Sequence, residues 1–404
     1  MTESTIIDSI VSQFPAALHE SLWRVGGSVR DLLLGLPAQD ADLVCSAPGT
    51  ALAALGFYPV TGKSTAPIWF RSHPQLGKIE VTLLAEGQHL EAELARRDFR
   101  CNAVAMALDG AVIDPLGGRE DIEERILRPC SPESLADDPL RIFRALRFAA
   151  HGWHISGELE GMVKCRSWEE EFAAIPVERF SREMMKALAG SDPVAFFRGM
   201  IGLNVGRSWL PELFAMLDVP AGPLKYHPEG DLFIHTVETL ERMARLTDDP
   251  LPRLAALFHD LGKLTTPPEM LPRHIGHDER GVPMARDLCR RLKLPASAGR
   301  ACAAASALHL SAGRWHEMRD TSKLKLARSA IKEGIAPWLP LLVTADRNDS
   351  DPMPEWDDIC RIAAMPAAEL GLTAEQLERV PAAERGKVIT EWQLKRYRGM
   401  VTGE

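Results

Sequence analysis

From about residue 20 to residue 125 the chain alternates short apolar runs with short amphipathic ones. Trp23–Val25, Ala41–Cys45, Ile68–Arg71, Lys78–Leu83, Ala103–Leu108 and Val112–Ile113 have the length and alternation of strands. Gly27–Leu34 and Thr50–Leu55 predict helices between them. After about Leu127 the two-residue period stops, and apolar residues recur at three and four spacing to the end of the chain. The pattern predicts an α+β chain: a small N-terminal mixed sheet with helices, then an all-helical remainder. Val219–Gly230, rich in Pro and Gly, reads as a linker between two helical parts, and a second break falls near Asp349–Pro354. There is no internal repeat and no low-complexity segment.

Composition narrows the class. A chain of 404 residues, 46% hydrophobic and 25% charged, has the make-up of a globular protein of two or three domains. Apolar stretches such as Asn102–Leu108 are far shorter than the roughly 20 residues of a membrane span. Met1–Ile10 lacks a basic-then-apolar signal segment. Seven cysteines stand singly with no C-x-x-C pair, which predicts reduced thiols and a cytoplasmic protein rather than a disulfide framework or a zinc cluster. The net charge of -9 argues against a nucleic-acid binder. Phosphate contacts, however, need only a local basic stripe. Arg286, Arg290, Arg291, Lys293 and Arg300 form one stripe. Lys387, Lys395, Arg396 and Arg398, interleaved with Trp392 and Tyr397, form another. Solvated helix faces explain both equally well.

Candidate chemistry begins at Val25-Gly26-Gly27-Ser28-Val29-Arg30-Asp31, which follows a strand and opens a helix. Glycines there let a ligand approach the backbone, and free N–H groups at a helix start favour phosphate. Arg30 would add charge to the same site. Asp40-Ala41-Asp42 follows. Residues two apart on a strand face one way, so both carboxylates would project side by side. Such a pair repels unless a cation lies between, which is the arrangement two magnesium ions need to activate a hydroxyl and hold a triphosphate.

Gly26–Gly35 with Asp40-Ala41-Asp42 resembles the signature of the class II tRNA nucleotidyltransferases and their bacterial poly(A) polymerase relatives. Four further segments resemble the rest of that pattern, in order. They are Arg96-Arg97-Asp98-Phe99 with Asn102-Ala103; Asp114–Gly118; Asp137–Arg141 with Arg144 and Arg147; and Glu178-Arg179 with Glu183. The resemblance implies a polymerase-β-like head, magnesium on Asp40 and Asp42, and tRNA, CTP and ATP as partners. It implies nucleotide contacts from Gly27, Ser28, Arg30, Arg97, Arg144 and Arg147, with Glu80 on the next strand as a further acidic residue.

Asp138 and Arg141 stand three apart on a predicted helix and would be neighbours. A carboxylate accepts and a guanidinium donates, so the pair could meet the exocyclic amine and ring nitrogen of cytosine or adenine. Guanine and uracil would turn a carbonyl to the carboxylate. A surface salt bridge is the plain alternative.

Two departures from the family pattern stand out. Asp137 replaces the commoner Glu. After Thr82 the family has a long flexible segment, whereas here Leu83–His89 runs straight into the next helix. Members lacking that segment are associated with adding only the two cytidines, so the resemblance favours a CC-adding form served by a separate A-adding enzyme.

In the helical half, His235, His259, Asp260 and Asp346 resemble the ligand set of HD metal-dependent phosphohydrolases. Two imidazoles and two carboxylates suit Mn, Ni or Co better than structural zinc. The places of His277 and His309 are left open by the sequence. Lys225–Thr236 and Pro272–His277 resemble the HD form fused to some tRNA nucleotidyltransferases, whose implied substrates are terminal or 2′,3′-cyclic phosphates on tRNA ends.

The resulting division is a head at 1–126, a helical neck with the base-recognition motif at 127–218, an HD body at 219–350 and a basic helical tail at 351–404. Arg290, Arg291, Lys293, Lys395 and Arg396 are candidate tRNA contacts. Two other readings remain open: a poly(A) polymerase, against which a pI near 5.8 counts, and an HD phosphohydrolase with an RNA-binding N-terminal domain, against which the intact aspartates count. The sequence carries no signal of oligomeric state.

Overall fold

The computed structural model describes residues 9, 11–37, 42–60, 68–73, 77–348, 350 and 352–402. Packing divides the chain into two compact units, Met1–Trp168 and Glu169–Glu404.

The first unit runs β1 (Leu22–Val25), α1 (Gly27–Leu33), β2 (Asp42–Cys45), α2 (Gly49–Ala54), β3 (Tyr58–Pro59), β4 (Ile68–His73) and β5 (Gly77–Leu83). It continues with α3 (Leu90–Ala95), β6 (Ala105–Ala107), β7 (Val112–Ile113), α4 (Gly118–Glu124) and β8 (Ile126–Leu127). α5 (Ser134–Asp137), α6 (Arg141–Ala149), β9 (His154–Ile155) and α7 (Gly157–Lys164) complete it. Seven strands form one sheet in the order β3-β4-β5-β2-β1-β6-β7. β2 and β5 pair in parallel and the other neighbours antiparallel, giving the expected mixed sheet.

Alternation along the central strands covers both faces. Leu43, Cys45, Ile79 and Val81 pack with Phe14, Leu52 and Phe57 on one side. Val25, Val44 and Ala105 pack with Leu90 and Leu94 of α3 on the other. Strand structure does not end at Leu127: β8 and β9 form a separate parallel pair. With two residues each, they are too short to show a period.

The second unit is helical. Its elements are α8 (Glu169–Ala173), α9 (Val177–Leu188), α10 (Pro193–Leu203), α11 (Pro211–Ala215), α12 (Leu232–Leu246) and α13 (Pro250–Phe258). They are followed by α14 (His277–Arg291), α15 (Ala296–Ala312), α16 (Asp320–Glu333), α17 (Leu339–Arg347), α18 (Trp356–Ala364), α19 (Ala374–Glu378) and α20 (Arg385–Thr402). The starts of α12 and α13 are fixed locally. Asp231 accepts from Ile234 N at 2.8 Å, and Asp249 accepts from Leu251 N at 2.9 Å just before Pro250. The C-terminal helices belong to this unit, with α18 and α20 packed on α16. Trp356 donates to Ala336 O at 2.8 Å, and Tyr397 is buried.

One buried cation ties the unit together. Arg253 donates to Leu188 O and Gly190 O at 2.7 Å each, to Ala244 O at 2.8 Å and to Thr247 O at 2.6 Å. It thereby satisfies the open carbonyl ends of α9 and α12. Its charge partner Asp248 is 99% exposed and contributes little. Arg253→Leu leaves those carbonyls buried and unpaired, so it should lower the unfolding free energy by about 3 kcal/mol. Urea denaturation checks this, and a change under about 0.5 kcal/mol, the level of an ordinary surface substitution, would show the arginine to be dispensable.

Candidate functional site

In the first unit, register places the acidic residues. Asp42 lies beside Val25 on one flank and beside Glu80 on the other. Asp42 and Glu80 therefore share the sheet face of Val44. Asp40 lies outside the described residues, so the pairing of the two aspartates is not part of the described geometry.

Gly26, between β1 and α1, has φ of 73°. A Cβ there would lie 2.8 Å from Arg97 Nη1 and 3.3 Å from Asp42 Oδ2. A guanidinium and a carboxylate thus converge on the turn that the sequence marks as phosphate-binding, and Gly26 is the residue that allows it. Gly27 opens α1, while buried Ser28 donates its hydroxyl to Val25 O at 3.0 Å. Arg97 donates to Asn102 O at a long 3.5 Å, and its buried Nε has no partner among the described residues. Its guanidinium therefore keeps donors for a ligand.

The other arginines are held by a network around Asp98. This buried carboxylate accepts from Phe99 N at 2.9 Å, Asn102 Nδ2 at 2.9 Å and Arg144 Nε at 2.8 Å. Arg30 donates to the same Asn102 through Oδ1 at 2.6 Å and pairs with Asp31 at 2.7 Å. Burial works against the charge on Asp98, but Arg144 and these hydrogen bonds outweigh it and hold the carboxyl well below its ordinary range. Arg30 and Arg147 both lie over the Phe148 ring, at 5.0 and 4.4 Å.

Asp138 and Arg141 do not share a helix. Asp138 is extended, at φ -150° and ψ 95°, and ends α5, while Arg141 begins α6. Pro139 separates them and cannot donate a helical hydrogen bond, which the three-residue spacing overlooked. Asp138 Oδ1 instead accepts from Leu140 N at 3.3 Å. Arg141 spends its guanidinium on Arg96 O at 2.7 Å, Arg97 O at 3.1 Å and both oxygens of Ser134 at 3.0 and 2.9 Å. It clamps the backbone that carries Arg97 and Asp98.

In the second unit, α12, the end of α13 and α17 bring His235, His259, Asp260 and Asp346 together, their ligand atoms all within 4.8 Å of one another. His235 Nε2 is 3.4 Å from Asp260 Oδ2 and 3.2 Å from Asp346 Oδ1. The matching distances from His259 Nε2 are 3.2 and 3.4 Å. Each Nδ1 is fixed from behind, at 2.9 Å from Glu229 Oε1 for His235 and 2.8 Å from Ala256 O for His259. Both Nε2 atoms are buried and make no hydrogen bond among the described residues. Burial opposes a proton on His259, but Asp260 and Asp346 raise its pKa to about 9, and His235 is raised for similar reasons. A site that favours a proton between its acceptors also favours a dication, and this mixed nitrogen and oxygen set fits a divalent transition ion.

Val219–Gly230 is more than a linker. It returns along the start of α12, with Ala221 N on Gly230 O at 2.8 Å and Leu232 N on Val219 O at 2.8 Å. It lines a cavity of about 750 Å³ over the histidines and supplies Glu229 and His227 to it. Composition marked the segment as loop; that it forms a wall depends on contacts distant in sequence. Sequence reasoning also missed Asp98, Asn102 and Ser134 as supports, although the first two lie inside a quoted motif. Lys263, three residues after Asp260, reaches its Oδ2 at 2.7 Å.

Of the basic candidates, Arg290, Lys293, Lys395 and Arg396 are exposed. Arg290 pairs with Asp287. Arg291 is half-buried, pairing with Glu212 and donating to Trp209 O at 3.2 Å. No helix among the described residues is long and apolar enough to cross a membrane.

Residues 68–128 match the Poly A polymerase head domain family, and residues 232–331 the HD domain family. The chain is 38% identical to the multifunctional CCA protein of Alkalilimnicola ehrlichii over 76% of its own length and 78% of that protein's. It is 36% identical to the one from Tolumonas auensis over the same shares. Among solved structures, the CCA-adding enzyme of Bacillus stearothermophilus in complex with CTP superposes with a TM-score of 0.62 at 22% identity, over the whole of both chains. The Thermotoga maritima CCA-adding enzyme complexed with tRNA gives 0.59 at 19%, over 93% of this chain and 87% of that one. These two likenesses establish a shared fold.

Asp98→Asn removes the charge that anchors Arg144 and should lower the stability of the first unit by about 2 kcal/mol at neutral pH. The folded carboxyl titrates below its unfolded value near 4. Its contribution is therefore complete above the unfolded value and disappears as pH falls through the folded one. Urea unfolding at stepped pH should show wild type losing stability more steeply than the variant below about pH 4; parallel curves would contradict the role given to Asp98.

Proposed function

The chain belongs to the multifunctional CCA protein family, tRNA nucleotidyltransferases that carry an HD domain, and on that premise we propose that it adds two cytidines to tRNA 3′ ends and hydrolyses phosphate esters at its HD site. The observation that carries the first reading is the junction at Gly26, where Arg97 and Asp42 converge on one glycine turn. The oxygen-only donor set of Asp42, Asp40 and Glu80 suits magnesium, which when bound would stabilise charge on the reacting oxygens. Arg97, Arg30 and the start of α1 bind and orient the triphosphate of CTP. Arg144 and Arg147 line the same site. The tRNA 3′-hydroxyl then attacks the α-phosphorus in line, forming one O–P bond as the bond to pyrophosphate breaks.

Cytosine selection falls to Asp138 and Arg141. Because Arg141 is held by Arg96 O, Arg97 O and Ser134, it would have to exchange one carbonyl for the ring nitrogen of the base. The exchange would couple base reading to the position of Arg97. The two-cytidine limit is supported by the short connection from β5 to α3, Leu84–His89, which is pinned at Leu84 N to Cys45 O at 2.9 Å. A separate A-adding enzyme would complete the end. The names of the relatives favour the second reading, complete CCA addition from CTP and ATP.

At the HD site, Mn, Ni or Co on His235, His259, Asp260 and Asp346 would polarise a phosphate. Glu229 and Ala256 O hold the two imidazoles with Nε2 inward. Terminal or 2′,3′-cyclic phosphates on tRNA are the proposed substrates, since their hydrolysis yields the 3′-hydroxyl that nucleotide addition uses. Exposed Arg290, Lys293, Lys395 and Arg396 are the proposed tRNA backbone contacts, and Arg291 a support.

The two sites should separate by mutation. Asp42→Ala is expected to reduce nucleotide addition roughly a thousandfold and leave metal-dependent phosphatase activity intact, with His235→Ala doing the reverse. Joint loss of both activities in a folded variant would end the two-site reading. On a tRNA transcript ending at the discriminator base, CTP alone should give two additions, and ATP supplied with CTP no third. Three additions resolved on a sequencing gel would replace the CC reading with the CCA one.

A further inference from the structure

We infer that Cys289 and Cys302 form a peroxide-oxidisable dithiol, in which Cys289 takes the oxidant and Cys302 closes a disulfide onto it. The pair lies where α14 and α15 pack against each other in antiparallel register. Ser306 of α15 donates to Asp278 O of α14 at 3.2 Å, and a Cβ on Gly281 would collide with Ser306 Oγ. Further along α14, a Cβ on Gly299 of α15 would lie 3.5 Å from Cys289 Cβ. Gly299 precedes Cys302 by one helical turn and shares its face. Both cysteines therefore sit on the contact line of the two helices, at 2% and 1% exposure. Ordinary helix pairs stand about 8–10 Å apart, whereas a disulfide needs Cα atoms within about 7 Å. The two glycines remove the side chains that would keep these helices at the ordinary distance.

Burial alone leaves a thiol inert. Cys289, however, lines a cavity of about 500 Å³ between the end of α14 and the start of α15. The same cavity is lined by Arg286, Arg290, Lys293 and Arg300 and by no carboxylate among the described residues, in a chain of net charge -9. A small peroxide can reach the sulfur from that side, and cationic surroundings favour a thiolate. The two thiols share a hydrogen bond in which Cys302 donates to the Cys289 sulfur. That bond lowers the Cys289 thiol below its ordinary value, against the effect of burial, and raises that of Cys302. Burial raises the thiols of Cys45, Cys101, Cys130 and Cys360.

The Cys289 thiolate attacks one oxygen of a hydroperoxide. An S–O bond forms as the O–O bond breaks, and the sulfur gives up two electrons. The leaving alkoxide or hydroxide takes up the proton that the thiol released and departs as alcohol or water. The Cys302 sulfur then attacks the sulfur of the Cys289 sulfenic acid. An S–S bond forms, the S–O bond breaks, and the hydroxyl leaves as water with the Cys302 proton. A dithiol reductant returns the pair to two thiols by exchange, so the change is reversible. The bond forms at the cavity that bears Arg290 and Lys293, and the modification thereby reaches the face given above to tRNA.

Full-length protein treated with hydrogen peroxide, blocked with iodoacetamide and digested without reductant tests the pair. Mass spectrometry should find the Cys289 and Cys302 peptides joined, and dithiothreitol should release them. Cys289 should be consumed about tenfold faster than Cys130, which is more exposed but raised by burial. In Cys302→Ser, Cys289 should accumulate as a sulfenic acid trapped by dimedone, and in Cys289→Ser, Cys302 should stay reduced. Near-ultraviolet circular dichroism reports that the fold persists during treatment. Both cysteines still reduced after Cys130 and exposed Cys165 have oxidised would overturn the dithiol, as would a link between them that forms only in urea. If a variant does not fold, the wild-type cross-link and the order of consumption decide the matter alone.

Discussion

A carboxylate can be buried only where cations or several donors meet it, and each unit of this chain is organised around one such group. Asp98 is surrounded by Arg144, Asn102 and a backbone amide. Every lone-pair direction is used by the protein itself, so the group serves as a rigid joint. Asp260 is surrounded mainly by imidazole nitrogens, with Lys263 as its one fixed cation among the described residues. That environment favours added positive charge. The same constraint yields a structural anchor in one unit and a proposed metal centre in the other.

The anchor explains how a loosely patterned segment becomes a precise site. Through Asn102, Asp98 reaches Arg30 on α1, and through Arg144 it reaches α6. Arg141 closes the frame by gripping the carbonyls of Arg96 and Arg97. Arg97 is the member left with donors to spare, beside the glycine turn. The division of labour among similar arginines is therefore set by which of them the buried carboxylate and the backbone have already consumed.

In the helical unit, ligand helices are fixed from outside the centre. Arg253 joins the ends of α9 and α12, and Asp231 and Asp249 set where α12 and α13 begin. Glu229 and three backbone carbonyls hold the histidines from behind. Preorganisation of this kind lets an ion bind without reordering long side chains. It also gives the Pro- and Gly-rich segment before α12 a function, as the wall that carries Glu229.

The sequence by itself determined most of the element order, the mixed sheet, the glycine turn, and the residues His235, His259, Asp260 and Asp346. These depend on local period and on motif spacing, which a linear chain displays directly. It did not determine that Asp138 lies outside the helix that Arg141 begins, since the proline between them weighs against a spacing argument that treats the segment as continuous. Nor could it reveal β8 and β9, too short for any period, or the partner of each arginine. Tertiary structure alone decided that Asp42 sits beside Glu80, that His277 and His309 meet Asp260 Oδ1, and that Val219–Gly230 closes over the histidines. Each of those contacts joins residues far apart in the chain. Their proximity is fixed by strand register and helix packing, quantities that no local window of residues contains.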